Sequence, residues 1–559
     1  MSAEKKSKER TSDGPWVKFW PDKLPQQVEY PKVPLYELLK KTAKKYPKKT
    51  AILYFDREIT YKELNLASDK FATALVALGV IKGDKVAIFL PNIPQFVIVY
   101  YGAIKIGAVL TAISPLYKER ELEYQLNDSE AETIIALDLL YPIVRKIWEK
   151  TKLKRAIITS QDEYLSKTPT LASTAAENET SVHFFQDLLT EHEANPHRVT
   201  INPRKDLAIL QYTGGTTGTA KGAMLTHRNL VSNAVVFAKW IMGEEAEETF
   251  LTVLPLFHIY GMTTSMNVPV YLGGKMIMLP RFDPKTVLEG IQKHKVTVFC
   301  GVPTMYAMLV SNPELGKYNL KSIRVCISGA SPLPPQIQKK FMEVTGGALV
   351  EGYGLTEASP VTHCNPPDKT MKTVKVGSIG LPLPNTDAKI FDIETGKTEL
   401  KPGETGELAV KGPQIMEGYW KKPEETANVL QNGWLYTGDI GKMDEDRYFY
   451  ITDRKKDLIK YKDYSVYPRE IEDVLYEHPA VKLCAVIGKP DPIVGQIPKA
   501  FVVLKERTNA TEAGIIEFVK EKVAPYKAIR EVEFRKELPT SSVGKVLRRV
   551  LQEEERKTL

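Results

Sequence analysis

Cysteine is scarce in this sequence. Cys300, Cys326, Cys364 and Cys484 lie far apart, and no two form a CxxC pair. That spacing points to buried, reduced thiols in a cytosolic protein. An excess of charge of one sign is also missing. Lys and Arg number 77 against 69 Asp and Glu, an excess of 8 in 559 residues. This does not fit a nucleic-acid-binding protein, although it suits small anionic ligands. No charge-free apolar run reaches the ~20 residues of a bilayer crossing. The nearest, Phe96–Ile113, has Lys105 in its middle, Pro94 and Pro115 at its flanks, and Gly102 and Gly107 inviting close packing. It reads as a buried core helix. The opening MSAEKKSKERTSDG has no apolar core and is not a secretory signal. Residues 1–30 read as a flexible tail on a cytoplasmic protein. Internal repeats are lacking too.

What is present is ordinary globular composition, 43% hydrophobic and 26% charged, in a chain long enough for roughly two to four domains. From about residue 50 to 320, short Val- and Ile-rich runs alternate with helical patterns. AILYF, KVAIFL, TIIAL, RAIIT, LAILQYT, TVFCGV and RVCISGA read as buried strands of a largely parallel α/β system. Residues 164–202 are polar and poorly periodic, a surface excursion. After about 375 the texture turns to Gly- and Pro-punctuated strands, and residues 456–559 read as a small α+β unit. Residues 33–46 put Leu35, Leu38 and Leu39 on one helical face. Lys40, Lys41, Lys44, Lys45, Lys48 and Lys49 lie on and beyond the other. That is a solvated face, which leaves room only for weak peripheral contact with anionic lipid.

The strongest local feature is YTGGTTGTAKG, Tyr212–Gly222, after the apolar strand DLAILQ. Glycines let backbone amides approach an anion, hydroxyls add donors, and Lys221 adds charge. Such a loop can wrap a polyphosphate. It is not a Walker A loop, because Gly218 and Lys221 are not adjacent and no Ser or Thr follows the lysine. Further strings follow in order: LPLFHIYG (Leu254–Gly261), SGASPLP (Ser328–Pro334), EGYGLTEASP (Glu351–Pro360), NGWLYTGDIGKMDEDRYFYITDRKKDLIK (Asn432–Lys460) and PTSSVGKVLRR (Pro539–Arg549).

Over roughly residues 30–552 these strings resemble, in order, the motifs of the adenylate-forming superfamily. Asn432–Lys460 in particular is similar to the signature of the fatty acyl-CoA synthetases. The resemblance implies a fold of a large N-terminal α/β domain with a β-rich subdomain, residues 31–453, and a small mobile α+β domain, residues 454–559. It implies ATP, Mg²⁺ and coenzyme A as small-molecule partners, with no nucleic acid, and allows a homodimer. It assigns Thr213, Gly214, Gly215, Thr216, Thr217, Gly218 and Lys221 to the phosphates. Gly329, Ala330 and Ser331 approach the adenine and Tyr353 stacks on it, while Gly352 and Gly354 go to the bound nucleotide. Thr356 goes to phosphate and carboxylate oxygens, and Glu357, with Thr213, to the metal. Asp439 and Arg454 would hold the ribose or phosphate, Lys456 would be the hinge, and Lys545 would bridge the carboxylate and the α-phosphate. His258 would line the acyl site, and Trp240, before the strand leading to it, would be a gate of the pocket.

Two positions depart from the family pattern. Asp463 stands where a glycine normally flanks the coenzyme A channel, and Arg447 replaces a glycine after an acidic turn. Asp tolerates left-handed backbone angles, so folding survives, but its charge could obstruct an approaching thiol. The expected reaction is activation of a medium- or long-chain fatty acid as acyl-AMP, then transfer to coenzyme A. The alternatives are an adenylating ligase for a short hydroxy or aromatic acid, or one that passes the acyl group to another acceptor.

Overall fold

The computed structural model describes residues 14–20, 24, 27–165, 180–197, 199–213, 220–462, 464–541 and 546–558. Two compact units emerge. The first runs to Asp387 and includes Lys411–Gly433; the second combines Ala388–Val410 with the chain from Trp434 onward.

The first unit is built on two sheets. Among the described residues one has seven strands, in the order Val182–Phe184, Arg155–Thr159, Thr133–Leu137, Lys85–Phe89, Val109–Ala112, Leu207–Thr213 and Lys221–Thr226. All neighbours are parallel except the last pair, an antiparallel hairpin. The other has nine. Its parallel centre runs Ala348–Gly354, Val325–Ser328, Val298–Gly301, Thr249–Thr252, Lys275–Met278 and Thr50–Tyr54. Antiparallel strands close both of its edges. Continuous burial along Thr133–Leu137 and Val325–Ser328 matches their unbroken apolar runs, as expected for strands covered on both faces.

Three readings change. The apolar run Phe96–Ile113 is not one helix. It is the end of a helix, Pro94–Lys105, followed by a strand, Val109–Ala112. Gly107, at φ +73°, makes the left-handed break between them. A continuous apolar run has no period that separates a buried helix from a buried strand. Part of residues 164–202 is structural: Val182–Phe184 adds an edge strand, and the helix Phe185–Glu191 buries Phe185, Leu188 and Leu189. Within the expected tail, Trp16 and Trp20 are buried, and Trp20 packs edge-on against Trp240 with ring centroids 5.9 Å apart. Among the described residues no helix is long and apolar enough to cross a membrane. In the lysine cluster after Leu39, Lys40, Lys45 and Lys49 are engaged by Glu37, Glu245 and Glu247.

Lys105 is accommodated rather than excluded. Gly102 faces the helix Tyr61–Ala77 so closely that a Cβ would lie 2.9 Å from the Phe71 ring and 3.0 Å from the Ser68 carbonyl. At this crossing the Lys105 ammonium reaches Asp69 at 2.7 Å, Ser68 at 2.6 Å and the Asn65 side chain at 3.0 Å.

The second unit is β-rich. One antiparallel sheet contains Asp387–Phe391, Thr405–Lys411, Trp434–Met443 and Phe449–Arg454. Arg447 keeps a glycine-like backbone, φ +67°, in the acidic turn before the last of these strands. A further sheet runs Tyr464–Val466, Ile459–Tyr461, Gly495–Leu504, Val481–Asp491, with Glu531–Phe534 parallel to Gly495–Leu504. The helices Pro468–Glu477, Glu512–Lys520 and Arg548–Thr558 complete this α+β part. Leu551 of the final helix packs with Leu538, Phe501 and Ile487. Its Glu555 meets Lys499 at 2.5 Å and Lys489 at 3.3 Å.

Breaking one partner of a buried ion pair typically costs about 3–5 kcal/mol, because it strands the other charge. Asp69→Asn should therefore destabilise the protein by about 3 kcal/mol, and Lys105→Met combined with Asp69→Leu by clearly less. Denaturant unfolding of the variants measures both.

Candidate active site

The hairpin Leu207–Thr213/Lys221–Thr226 holds both ends of the Gly/Thr-rich loop. Thr213 and Lys221 face each other in its last register pair. Gly214, Gly215, Thr216, Thr217 and Gly218 lie outside the described residues, as do Asp463 and Lys545. Gly222 backs onto Tyr212, 3.1 Å from where a Cβ would sit to the ring. The strand Lys221–Thr226 has a second neighbour: residues 417–420 run alongside it. Met224 donates to the Gly418 carbonyl at 2.8 Å, Glu417 to Met224 at 3.0 Å, and Trp420 to Gly222 at 2.8 Å.

This pairing places Tyr419. Its hydroxyl donates to Glu357 Oε1 at 2.6 Å, and the Lys221 ammonium lies 5.2 Å from its ring centroid. Burial, reinforced by the Glu357 carboxylate, pushes the Tyr419 hydroxyl well above its ordinary range, so it stays a proton donor. Glu357 is fixed from its other side by its own carbonyl, which accepts the Met416 N–H at 2.8 Å. The turn Thr356–Ala358 packs on both strands of the hairpin. Thr213, Lys221, Thr356, Glu357 and Tyr419 thus share one place. Sequence reasoning missed Tyr419. The signal available was the aromatic pair of EGYW, which the strand reading of that segment absorbed.

The adjoining motifs meet at the carboxyl ends of parallel strands, where open α/β sheets bind ligands. Val325–Ser328 and Ala348–Gly354 are parallel neighbours, with Ser328 beside Glu351. Beyond Ser328, Gly329 lies against Tyr260, whose hydroxyl donates to the Ile327 carbonyl at 2.9 Å. A Cβ at 329 would come 3.1 Å from that ring. Ala330 has φ +69°. Leu333 N–H donates to Glu351 at 3.2 Å, tying this turn to the next motif. Tyr353 is half-buried, with His363 edge-on at 5.9 Å. Gly354 admits no side chain, since a Cβ would lie 2.2 Å from the Pro360 carbonyl.

His258 caps the short helix Ile259–Met262, its Nδ1 accepting the Tyr260 N–H at 3.2 Å. That bond leaves the ring proton on Nε2. Burial holds the imidazole down at about 4, so it is neutral at ordinary pH. Gln211 donates to the Phe257 carbonyl at 2.9 Å and Thr263 to the Ser359 carbonyl at 2.8 Å, which joins the His258 segment to the hairpin and to the Glu357 turn. Trp240 is fully buried at the end of the helix His227–Trp240 and donates to the Asn365 carbonyl at 3.3 Å.

In the second unit, Asp439 and Arg454 are cross-strand partners, Nε to Oδ1 3.0 Å. Asp439 is buried, and Lys456 is exposed two residues beyond Arg454. Residues 542–545 lie between described flanks. Thr540 bridges to Val546, and Leu547 N–H donates to the Pro539 carbonyl at 2.8 Å.

Among the described residues no group of three or more His, Cys, Asp or Glu could hold a metal by itself. Glu357 presents one carboxylate whose Oε1 is taken by Tyr419. That donor set suits Mg²⁺, which is bound by one or two carboxylates together with substrate phosphates and water.

The AMP-binding enzyme family matches residues 39–420, and the AMP-binding enzyme C-terminal domain matches residues 470–545. A long-chain-fatty-acid–CoA ligase of Bacillus subtilis is 45% identical, with 97% of this chain and 98% of that protein covered. Its namesake in Salmonella typhimurium is 37% identical, at the same coverage. The crystal structure of ATP-bound MatB from Rhodopseudomonas palustris superposes with a TM-score of 0.83 at 30% identity, covering 94% of this chain and 100% of that one.

Burial also pushes His227 down to about 4 and His363 to about 3, both fully shielded from solvent. These folded-state values lie below the ordinary 6.5. Between them and 6.5 the unfolded chain binds more protons, so stability is full above about pH 6.5 and is lost as the pH falls towards 4. Unfolding titrations from pH 7 to 4 should show this fall. His227→Gln should flatten it by up to about 1.4 kcal/mol per pH unit.

Proposed function

The chain belongs to the AMP-binding enzyme family, and on that premise we propose that it is an ATP-dependent fatty acid–CoA ligase acting on medium- or long-chain acids through an acyl-adenylate. The observation that carries this reading is the Lys221–Tyr419–Glu357 assembly beside the Gly/Thr-rich loop. There a cation, a fixed proton donor and an anchored carboxylate converge at the strand ends that flank that segment.

In the first half-reaction a fatty carboxylate oxygen attacks the α-phosphorus of ATP. A P–O bond forms, the bond to the β-phosphate oxygen breaks, and pyrophosphate departs. Thr213 to Gly218 and Lys221 bind the β- and γ-phosphates. Gly329, Ala330 and Ser331 approach the adenine, which stacks on Tyr353, while Gly352 and Gly354 go to the bound nucleotide. Asp439 accepts from the ribose hydroxyls, since a carboxylate only accepts, and Arg454 reaches the ribose or phosphate. Thr356 donates to phosphate and carboxylate oxygens. Glu357, with Thr213, would hold Mg²⁺, which when bound offsets the negative charge gathering on the phosphates. Tyr419 keeps Glu357 aimed. Lys545 stabilises the charge between carboxylate and α-phosphate, a fixed cation where charge develops.

In the second half-reaction the coenzyme A sulfur attacks the acyl carbonyl and AMP leaves with the bonding pair. Residues 454–559 act as the mobile domain, turning on Lys456, and Asp463 flanks the thiol channel. The neutral His258 faces the acyl chain or its carboxylate. A site that excludes water protects the mixed anhydride from hydrolysis.

The deciding measurement is product formation with acids from acetate to stearate, together with a hydroxybutyrate and coumarate, in the presence of ATP and coenzyme A. Acyl-CoA and AMP should form fastest from the longer fatty acids; a preference for coumarate or hydroxybutyrate would overturn the substrate class. Lys545→Ala should slow acid-dependent pyrophosphate exchange on the order of 10²-fold or more, with much less effect on thioester formation from supplied acyl-AMP. Asp463 gives one reason to look for another acceptor. If pyrophosphate release is brisk while acyl-CoA is absent, and Asp463→Gly restores it, the acyl group passes elsewhere in the native protein.

A further inference from the structure

Arg548 opens the final helix, three residues after Lys545, and its partners are unusual. Its Nε donates to Glu472 Oε1 at 3.0 Å, and its Nη2 pairs with Glu472 Oε2. Its Nη1 donates to Asp457 Oδ2 at 3.3 Å and lies 3.7 Å from Asp453 Oδ1. The side chains are nearly dry: 19% exposed for Arg548, 1% for Asp453, 12% for Asp457 and 11% for Glu472. Three carboxylates therefore share one guanidinium away from water. The forked bond to Glu472 is the strong one, charge-assisted and two-pronged. Glu472 is itself anchored, its Oε1 accepting the Val486 N–H at 2.7 Å. The contact to Asp453 is the longest and weakest of the set.

The order of these residues along the chain gives that weak contact a meaning. Asp453 precedes Lys456; Asp457, Glu472 and Arg548 follow it. A backbone rotation at Lys456 carries the last three together and leaves Asp453 behind. Asp453 also accepts the Arg469 N–H at 2.8 Å, a second bond that crosses the same point. Its other bond, from the Arg454 N–H at 2.7 Å, does not cross. Any turn at Lys456 must therefore release Asp453 from both Arg548 and Arg469, while Arg548 keeps its hold on Glu472 and Asp457.

Building on the two-step reaction and the Lys456 hinge proposed above, we propose that Asp453 and Arg548 form a strap across the hinge that sets the balance between the two half-reactions. Arg548 is then a positioning residue. It touches no substrate. It holds the Lys545 segment to the small domain through Glu472 and Asp457, and it resists rotation through Asp453. The arrangement that keeps the strap is favoured over the one that breaks it.

The test compares two rates in the full-length enzyme: acid-dependent pyrophosphate exchange into ATP, and acyl-CoA formation from supplied acyl-AMP. Asp453→Asn keeps the shape and one acceptor but removes the charge. It should shift the ratio of the two rates by about fivefold or more, the size expected for losing one charged contact. Arg548→Lys, which cannot span all three carboxylates, should shift the ratio in the same direction, and the double variant no further. Asp457→Asn removes a charge that travels with Arg548, so it should leave the ratio within about twofold. A lesion that merely loosened the fold would lower both rates together. An unchanged ratio in both Asp453→Asn and Arg548→Lys, shifts of opposite sign, or an equal shift in Asp457→Asn would overturn the strap. If Asp453→Asn does not fold, Arg548→Lys carries the test alone. A wild-type enzyme that lacks both half-reactions would instead overturn the ligase reading, and the strap with it. A wild type competent in both, with ratios that do not move, sinks the strap only.

Discussion

The site rests on a backbone constraint: the strand Lys221–Thr226 is paired on both sides, with Leu207–Thr213 on one and residues 417–420 on the other. A strand held on a single edge could shift its register, and a shift of one residue would turn Lys221 to the opposite face. Held from both edges, it fixes Lys221 opposite Thr213 and delivers Tyr419 to Glu357 at hydrogen-bonding distance. The hairpin gives Thr213 and Lys221, the residues that flank the Gly/Thr-rich segment, a fixed register.

Electrostatics follow from that frame. A lone glutamate on a surface loop would be solvated and free to turn. Glu357 is restrained by a tyrosine hydroxyl on one carboxylate oxygen and by a backbone amide on its carbonyl, so its remaining oxygen has a fixed direction. Elsewhere the chain treats buried charge the same way. Lys105 is taken into an apolar helix crossing only together with Asp69, Ser68 and Asn65. Arg548 is taken in with three carboxylates. Each of these is a place where charge is kept at some cost in desolvation, offset by the partners that surround it.

The motifs were legible because their chemistry needs particular residue types in particular order: glycines where a backbone must come close, hydroxyls and a lysine beside them, a glutamate after Tyr353 and Thr356. Gly354 shows how literal that requirement is, with the Pro360 carbonyl occupying the space of any side chain. Other features were opaque. The break at Gly107 was hidden because Phe96–Ile113 is apolar throughout, and only periodicity separates helix from strand. Val182–Leu189 read as surface because a polar stretch precedes it, yet it adds a strand to an existing sheet edge and buries Phe185. Tyr419 and Tyr260 act through partners about 60 and 67 residues away, and no local pattern encodes that distance.

By itself the sequence determined the family, the α/β class with a smaller α+β unit, the order of the motif segments, and the residues whose types alone suit them to phosphate, ribose or metal. These are properties of short strings, set by backbone freedom, charge and hydrogen-bonding capacity. The tertiary structure decided which tyrosine orients Glu357, which face His258 turns to its own helix, that Trp240 is a packed core residue against Trp20, and that one arginine near the tail grips carboxylates on both sides of Lys456. Those are contacts between residues far apart in the chain. They exist only once the sheets have paired and the apolar faces have been buried, because long-range proximity is a product of packing and is written in no single segment.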